Sequence, residues 1–170
     1  MKYIIFLDVD GVINCDSTQD TVCGGYVGID DALVKNLEDL CDRFEDKVSI
    51  VLTTTWAEKW YRDFRDKEEQ DEFANILDER LRKYKLHAID KIADPISYYR
   101  GKYVYEYLNK HPEIEGYVIL DDFDFDFLDY PEVASHWIQT TEAQGFHEGL
   151  IDFAEDIIKG KCNAFHKPHI

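Results

Sequence analysis

Positive charge is scarce in this 170-residue chain: 19 Lys and Arg face 36 Asp and Glu, for a formal net charge of −17. That balance disfavours broad, non-specific attraction to nucleic acid or to anionic membranes, so no tight non-specific nucleic-acid binding is expected. Long apolar runs are also missing, and none approaches the ~20 residues that cross a bilayer. No CxxC pair occurs among Cys15, Cys23, Cys41 and Cys162, and Met1-Lys2 leads into an apolar stretch without a signal-peptide pattern. Reduced thiols in a cytoplasmic protein are the expectation, preferred over a zinc site drawn from Cys15, Cys23, His166 and His169. Internal repeats, low-complexity tracts and linkers are absent too. With 45% hydrophobic residues, the chain suits one well-buried core over residues 1–158 and a polar C-terminal tail over 159–170, extended over the surface.

The first informative stretch is KYIIFLDVDGVIN, Lys2–Asn14. Tyr3, Ile4, Ile5, Phe6 and Leu7 form a continuous apolar run, as in a parallel strand buried on both faces. The run stops at Asp8 and Asp10, with Gly11 next, where the chain can turn sharply and offer backbone N–H groups to an anion. Ligands of open α/β sheets sit beyond the carboxyl ends of the strands. Two carboxylates there are costly to bury together unless a cation or a proton separates them.

The rest alternates strand and helix. Cys15–Gly28 reads as a loop or short hairpin, and Asp30 or Asp31 caps a helix carrying Leu33, Leu37, Leu40 and Phe44. Val48–Leu52 is the next strand, ending in Thr53-Thr54-Thr55-Trp56. Trp56–Tyr84 reads as two helices, one with Trp60, Tyr61 and Phe64, the other with Phe73, Ile76, Leu77 and Leu81. Lys59–Lys91 holds nine basic and nine acidic residues, a solvated face that also offers Lys59, Arg62 and Arg65 to an approaching anion. A short strand within Leu86–Ile92, a helix from about Tyr99 to Asn109 and a strand Tyr117–Leu120 ending at Asp121-Asp122 follow. Phe123–Tyr130 (FDFDFLDY) reads as a loop or helical turn, His136–Gln139 as a strand and Phe146–Ile158 as the closing helix. Strand–helix–strand order implies a doubly wound parallel sheet. At least four carboxylates at one sheet edge call for a cation, and hard oxygen donors suit Mg²⁺.

DVDGV, the strand ending VLTTTW, the helix start RGKYVYEYL and the strand ending ILDD occur in the order of the four motifs of the haloacid dehalogenase (HAD) superfamily. The chain resembles that superfamily, most of all the small HAD domain of Swiss Army Knife RNA-repair proteins. The resemblance spans Asp8 to Asp122 and implies a HAD-like, Rossmann-like three-layer sandwich: a parallel sheet with helices on both faces and a minimal or absent cap. It implies a Mg²⁺-dependent phosphatase in which Asp8 attacks phosphorus and Asp10 is the general acid and base. Metal ligands would be the Asp8 carboxylate, the Asp10 carbonyl and Asp122, with Asp121 behind them or as an alternate. Phosphate would meet Val9, Asp10, Gly11 and the hydroxyl of Thr53, or of Thr54 if the register differs by one residue. The positive charge of the third motif falls to Arg100 or Lys102. Arg100 is the choice, because it shares a helix face with Val104 and Leu108, whereas Lys102 lines up with Glu106. Asp124 and Asp126 could tune the site. The resemblance favours a nucleic-acid end as substrate, with a nucleotide or small metabolite as the rival and a non-catalytic binding module as the third reading. Trp56, Trp60 and Tyr61 are candidates for stacking a base. Oligomeric state is not written in the sequence.

Overall fold

The computed structural model describes residues 2–165, so His166 and His169 lie outside the described residues. The elements are β1 (Tyr3–Leu7), α1 (Asp31–Asp42), β2 (Val48–Leu52), α2 (Glu72–Lys83), β3 (Ala88–Lys91), α3 (Arg100–Lys110), β4 (Gly116–Asp121), α4 (Pro131–Ala134), β5 (Trp137–Gln139) and α5 (Ile151–Ile158). All strand pairs are parallel, in the order β3-β2-β1-β4-β5.

Strand side chains alternate between two apolar layers although the runs themselves do not alternate. Ile5, Leu7, Ile50, Leu52, Val118 and Leu120 join α1, α2 and α5 in one layer, while Ile4, Phe6, Val51 and Ile119 join α3 and α4 in the other. This is the three-layer, Rossmann-like sandwich expected. Gly116 opens β4 where a Cβ would collide with the Ile158 carbonyl at the end of α5. Only glycine lets strand and helix end meet so closely. Asp30 caps α1, its Oδ1 accepting from the Ala32 N–H at 2.9 Å.

Four segments differ from the sequence reading. Trp60 and Tyr61 are not helical; the stretch contains single 3-10 turns at Thr55–Ala57 and Phe64–Glu69. Side chains there take backbone groups a helix would have used: Thr54 accepts from the Trp56 N–H, Asp63 from Arg65 and Gln70 from Tyr61. The closing helix begins at Ile151 because the Phe146 N–H donates to the Val12 carbonyl and a 3-10 turn intervenes at Glu148–Leu150. The short α4 was not anticipated; Pro131 occupies its first turn, where a missing N–H costs nothing. Finally, the described part of the tail packs back on the domain: Ala164 is buried and donates to the Ser135 carbonyl at 2.7 Å.

Candidate active site

Register builds the site. Leu7 pairs with Leu52 on one side and Leu120 on the other, so the next residues along, Asp8, Thr53 and Asp121, emerge side by side. The ladder continues one step further, with Asp8 N–H donating to Leu120 and Thr53 N–H to Leu7. Asp121 is the last residue of β4 rather than the first beyond it, and is fully buried. Asp122 follows, half-buried, beneath Gly11 (φ +69°), where any Cβ would strike its carboxyl. The Asp8, Asp121 and Asp122 carboxylates offer oxygens within 4.8 Å of one another, a set that could hold a metal ion.

Among the described residues the cation touching this group is Arg100. It is 2% exposed, and its Nη1 lies 3.0 Å from Asp8 Oδ2 and 2.5 Å from Asp121 Oδ2. Burial works against the guanidinium charge, but Asp8 and Asp121 outweigh it and hold its pKa above the ordinary value. Burial, then the Asp8 charge, push Asp121 well above the usual carboxylate range despite Arg100. The same two causes push Asp122 up to about 6. Three acids against one base is an imbalance a divalent cation would correct.

Arg100 opens α3 under tight control. Asp126 accepts from the N–H groups of Gly101 (2.5 Å) and Lys102 (3.1 Å), satisfying donors that the first helical turn leaves unpaired. Its carboxylate therefore meets the helix start that carries Arg100 and not the acid cluster. The guanidinium Cζ lies over the Phe125 ring, 4.0 Å from its centre. Lys102 points elsewhere: it is half-exposed and lies 3.9 Å from Glu106 and 5.5 Å from the Tyr103 ring.

Of the two threonines, Thr54 is engaged with the Trp56 N–H, while Thr53 Oγ1 is fully buried without a partner among the described residues. An unsatisfied buried hydroxyl costs ~1–3 kcal/mol, so a ligand oxygen there would be gained by both sides. The loop amides are less free than the motif suggested: Val9 N–H donates to Asp8 Oδ1 at 2.8 Å and Gly11 N–H to Asn14 Oδ1 at 2.9 Å.

Asp10 stands apart from the other acids. Its Oδ1 accepts from Asn14 Nδ2 at 2.8 Å and its Oδ2 from Trp56 Nε1 at 3.1 Å. Trp56 and Trp60 are 5% and 2% exposed, which removes both as stacking surfaces for a base. The exposed aromatics near Arg100 are instead Tyr98, Tyr99 and Phe123: Tyr98 touches the other two, and Tyr98 and Phe123 both touch Phe125. Of those exposed rings, FDFDFLDY contained only Phe123, and which aromatics surface depends on the fold around Phe125, whose φ is +41°.

A cavity of about 270 Å³ opens over the turn, lined by Asp10, Gly11, Asn14, Asp16, Val27, Asp122 and Glu142, among others. Val27 arrives from the loop at residues 15–28, where a single antiparallel bridge joins it to Thr21. A larger cavity of about 490 Å³, lined in part by Lys2, Arg62, Tyr107 and His111, lies away from these acids. Volume is therefore not the guide to chemistry here; the buried charges are. Arg62, proposed to meet an anion, faces that other cavity, 3.8 Å from Asp90.

The arrangement defines a class: a Rossmann-like α/β domain with carboxylates, an arginine and a hydroxyl gathered at the strand ends around β1 and β4. The family described as the HAD domain in Swiss Army Knife RNA repair proteins matches residues 4–150, and the chain belongs to it. It is thus a HAD-superfamily domain, of the general phosphohydrolase type. Comparisons with curated proteins and with solved structures found no match. No helix among the described residues is long and apolar enough to cross a membrane.

Proposed function

We propose that the domain is a Mg²⁺-dependent phosphomonoesterase that works through a phosphorylated Asp8. The observation that carries this reading is the Asp8, Asp121 and Asp122 cluster with Arg100 bonded across its first two members. A hard, all-oxygen donor set of this kind fits Mg²⁺, held by Asp8, Asp122 and the Asp10 carbonyl with Asp121 behind. When bound, the ion would neutralise charge on the phosphoryl oxygens and on the nucleophile.

An Asp8 carboxylate oxygen attacks phosphorus; the bond from phosphorus to the leaving oxygen breaks, and that oxygen takes a proton from Asp10. Water then attacks the phosphorus of the aspartyl-phosphate and gives its proton to Asp10. The Asp8–phosphorus bond breaks, releasing inorganic phosphate and restoring both aspartates. Arg100 keeps Asp8 oriented and offsets the charge that gathers as the phosphoryl group approaches. The unpartnered Thr53 hydroxyl is suited to donate to a phosphoryl oxygen.

The substrate is a phosphomonoester, taken here to be a nucleic-acid end, in keeping with the repair family. Tyr98, Tyr99 and Phe123 offer exposed rings beside Arg100 on which a base could stack. Asp16 and Glu142 on the cavity wall favour the second reading, a nucleotide or small metabolite, since they repel a polyanion. Release of phosphate from p-nitrophenyl phosphate, from mononucleotides and from 3′- and 5′-phosphorylated oligonucleotides tests both. Turnover should need Mg²⁺ and fall by about 10⁴-fold or more in Asp8→Asn. No turnover on the whole panel would leave a binding module.

A further inference from the structure

We propose that Trp56 and Asn14 are positioning residues for Asp10, fixing its carboxyl so that its proton faces the leaving group. The inference rests on the reading of Asp10 as general acid and base. Asp10 is the exposed residue of an otherwise buried turn, and a short carboxylate that reaches solvent ordinarily samples several rotamers. Here both oxygens are occupied, one by the Asn14 amide and one by the Trp56 indole.

Both donors are themselves immobilised. Asn14 is 4% exposed; the nitrogen that meets Asp10 also donates to the Gly28 carbonyl at 2.9 Å, and its oxygen accepts from the Gly11 N–H. Turning its amide would break three hydrogen bonds at once. Trp56 packs edge-on against Phe73 of α2, with ring centres 4.9 Å apart, and its own N–H is held by Thr54. Lys91 secures the following residues by donating to the Ala57 and Glu58 carbonyls.

The chemistry of the donors matters as much as their rigidity. An indole N–H only donates, and the Asn14 nitrogen only donates, so neither can receive a proton from Asp10. Each carboxylate oxygen keeps one further lone pair, and the transferable proton must sit there. Two buried donors thus select both the rotamer of the carboxyl and the lone pair that carries its proton. Neither donor is charged, so Asp10 is oriented by hydrogen bonds and not by an ion pair.

The test compares an aliphatic phosphate, glycerol phosphate, with p-nitrophenyl phosphate. Aliphatic leaving oxygens need a proton as they depart, whereas nitrophenolate does not. With kcat/KM as the readout, which reports the step that expels the leaving group, Trp56→Phe should lower the glycerol phosphate value about 10- to 100-fold and the nitrophenyl value by under about 3-fold. KM should barely move. Asn14→Asp, which replaces a donor with an acceptor of the same shape, should show the same selectivity, and Asp10→Asn a larger version of it. Thermal melts check that the variants fold. An equal loss on both substrates, or no loss, in both variants while Asp10→Asn retains its selective defect would overturn the positioning role alone. Wild-type inactivity on both substrates, or an Asp10→Asn variant as active as wild type, would overturn the underlying reaction.

Discussion

Two tryptophans four residues apart each donate an indole N–H to an aspartate, and the two pairs differ in one respect. Trp60 meets Asp78 at 2.8 Å in a balanced group: Lys67 Nζ lies 2.7 Å from the same carboxylate and 4.4 Å from the Trp60 ring centre, with Gln70 completing it. Trp56 meets Asp10, whose other side-chain contact is the neutral Asn14 amide. In the first pair a cation satisfies the acid, which ties α2 to the Phe64–Glu69 turn. In the second both side-chain partners are neutral, and the acid lines a cavity with Asp122, a member of the Asp8, Asp121 and Asp122 group in which one arginine serves several carboxylates. An acid met by a cation holds the fold together; buried acids left in excess, such as Asp8 and Asp121, await a ligand.

The sharpest challenge to that contrast lies at Arg100. Arg100→Lys, which keeps the charge but puts a single ammonium where a guanidinium spans two carboxylates, should lower kcat/KM by about 10²- to 10³-fold. Lys102→Arg should change it by no more than about twofold, as befits an exposed residue. Equal tolerance at the two positions would erase the distinction between a cation inside the site and one outside it. The structural pair gives the next largest effect. Trp60→Phe strips one donor from Asp78 and should cost about 1–2 kcal/mol of stability, seen as a lower melting temperature, with the ratio of kcat/KM between aliphatic and aryl phosphates unchanged. A shift in that ratio would mean the two tryptophans are not functionally separate.

The smallest effect is at the surface. Asp31 joins Lys83 (2.5 Å) and Arg80 (3.0 Å), linking α1 to α2, and the Lys83 hydrogen bond leads the causes that hold its carboxyl below the usual range. A lowered carboxylate pKa means the unfolded chain binds more protons in the acid range, so stability rises with pH there. Asp31→Asn should therefore lose at most about 1 kcal/mol near pH 7, after solvent screening. The deficit should fade as pH falls below about 4 and through the folded-state pKa. A deficit that persists in acid would assign the loss to packing rather than charge.

Much of the fold was legible in the sequence because its strands are short, apolar and β-branched and its helices amphipathic. Val48–Leu52 and the positions of α1, α2 and α3 needed no tertiary information beyond the burial those patterns imply. Trp56–Glu69 was illegible for the opposite reason: its aromatic spacing mimics a helix, but its side chains find distant partners, such as Asp78 for Trp60. The acids, threonines and basic candidates of the site could be named from local motifs, since strand ends are recognisable in a chain of residues. Their relations could not, because they depend on register between strands far apart in sequence.

Composition and periodicity determined a parallel α/β layer structure and a ring of carboxylates at its strand ends, for burial and repeat length are properties of the chain itself. Only tertiary structure decided that Arg100 sits against Asp8 while Lys102 turns out to Glu106, that the Thr53 hydroxyl has no partner among the described residues, and that Trp56 and Asn14 close on Asp10. Hydrogen bonds and ion pairs depend on distance and direction in space, and a linear pattern carries neither.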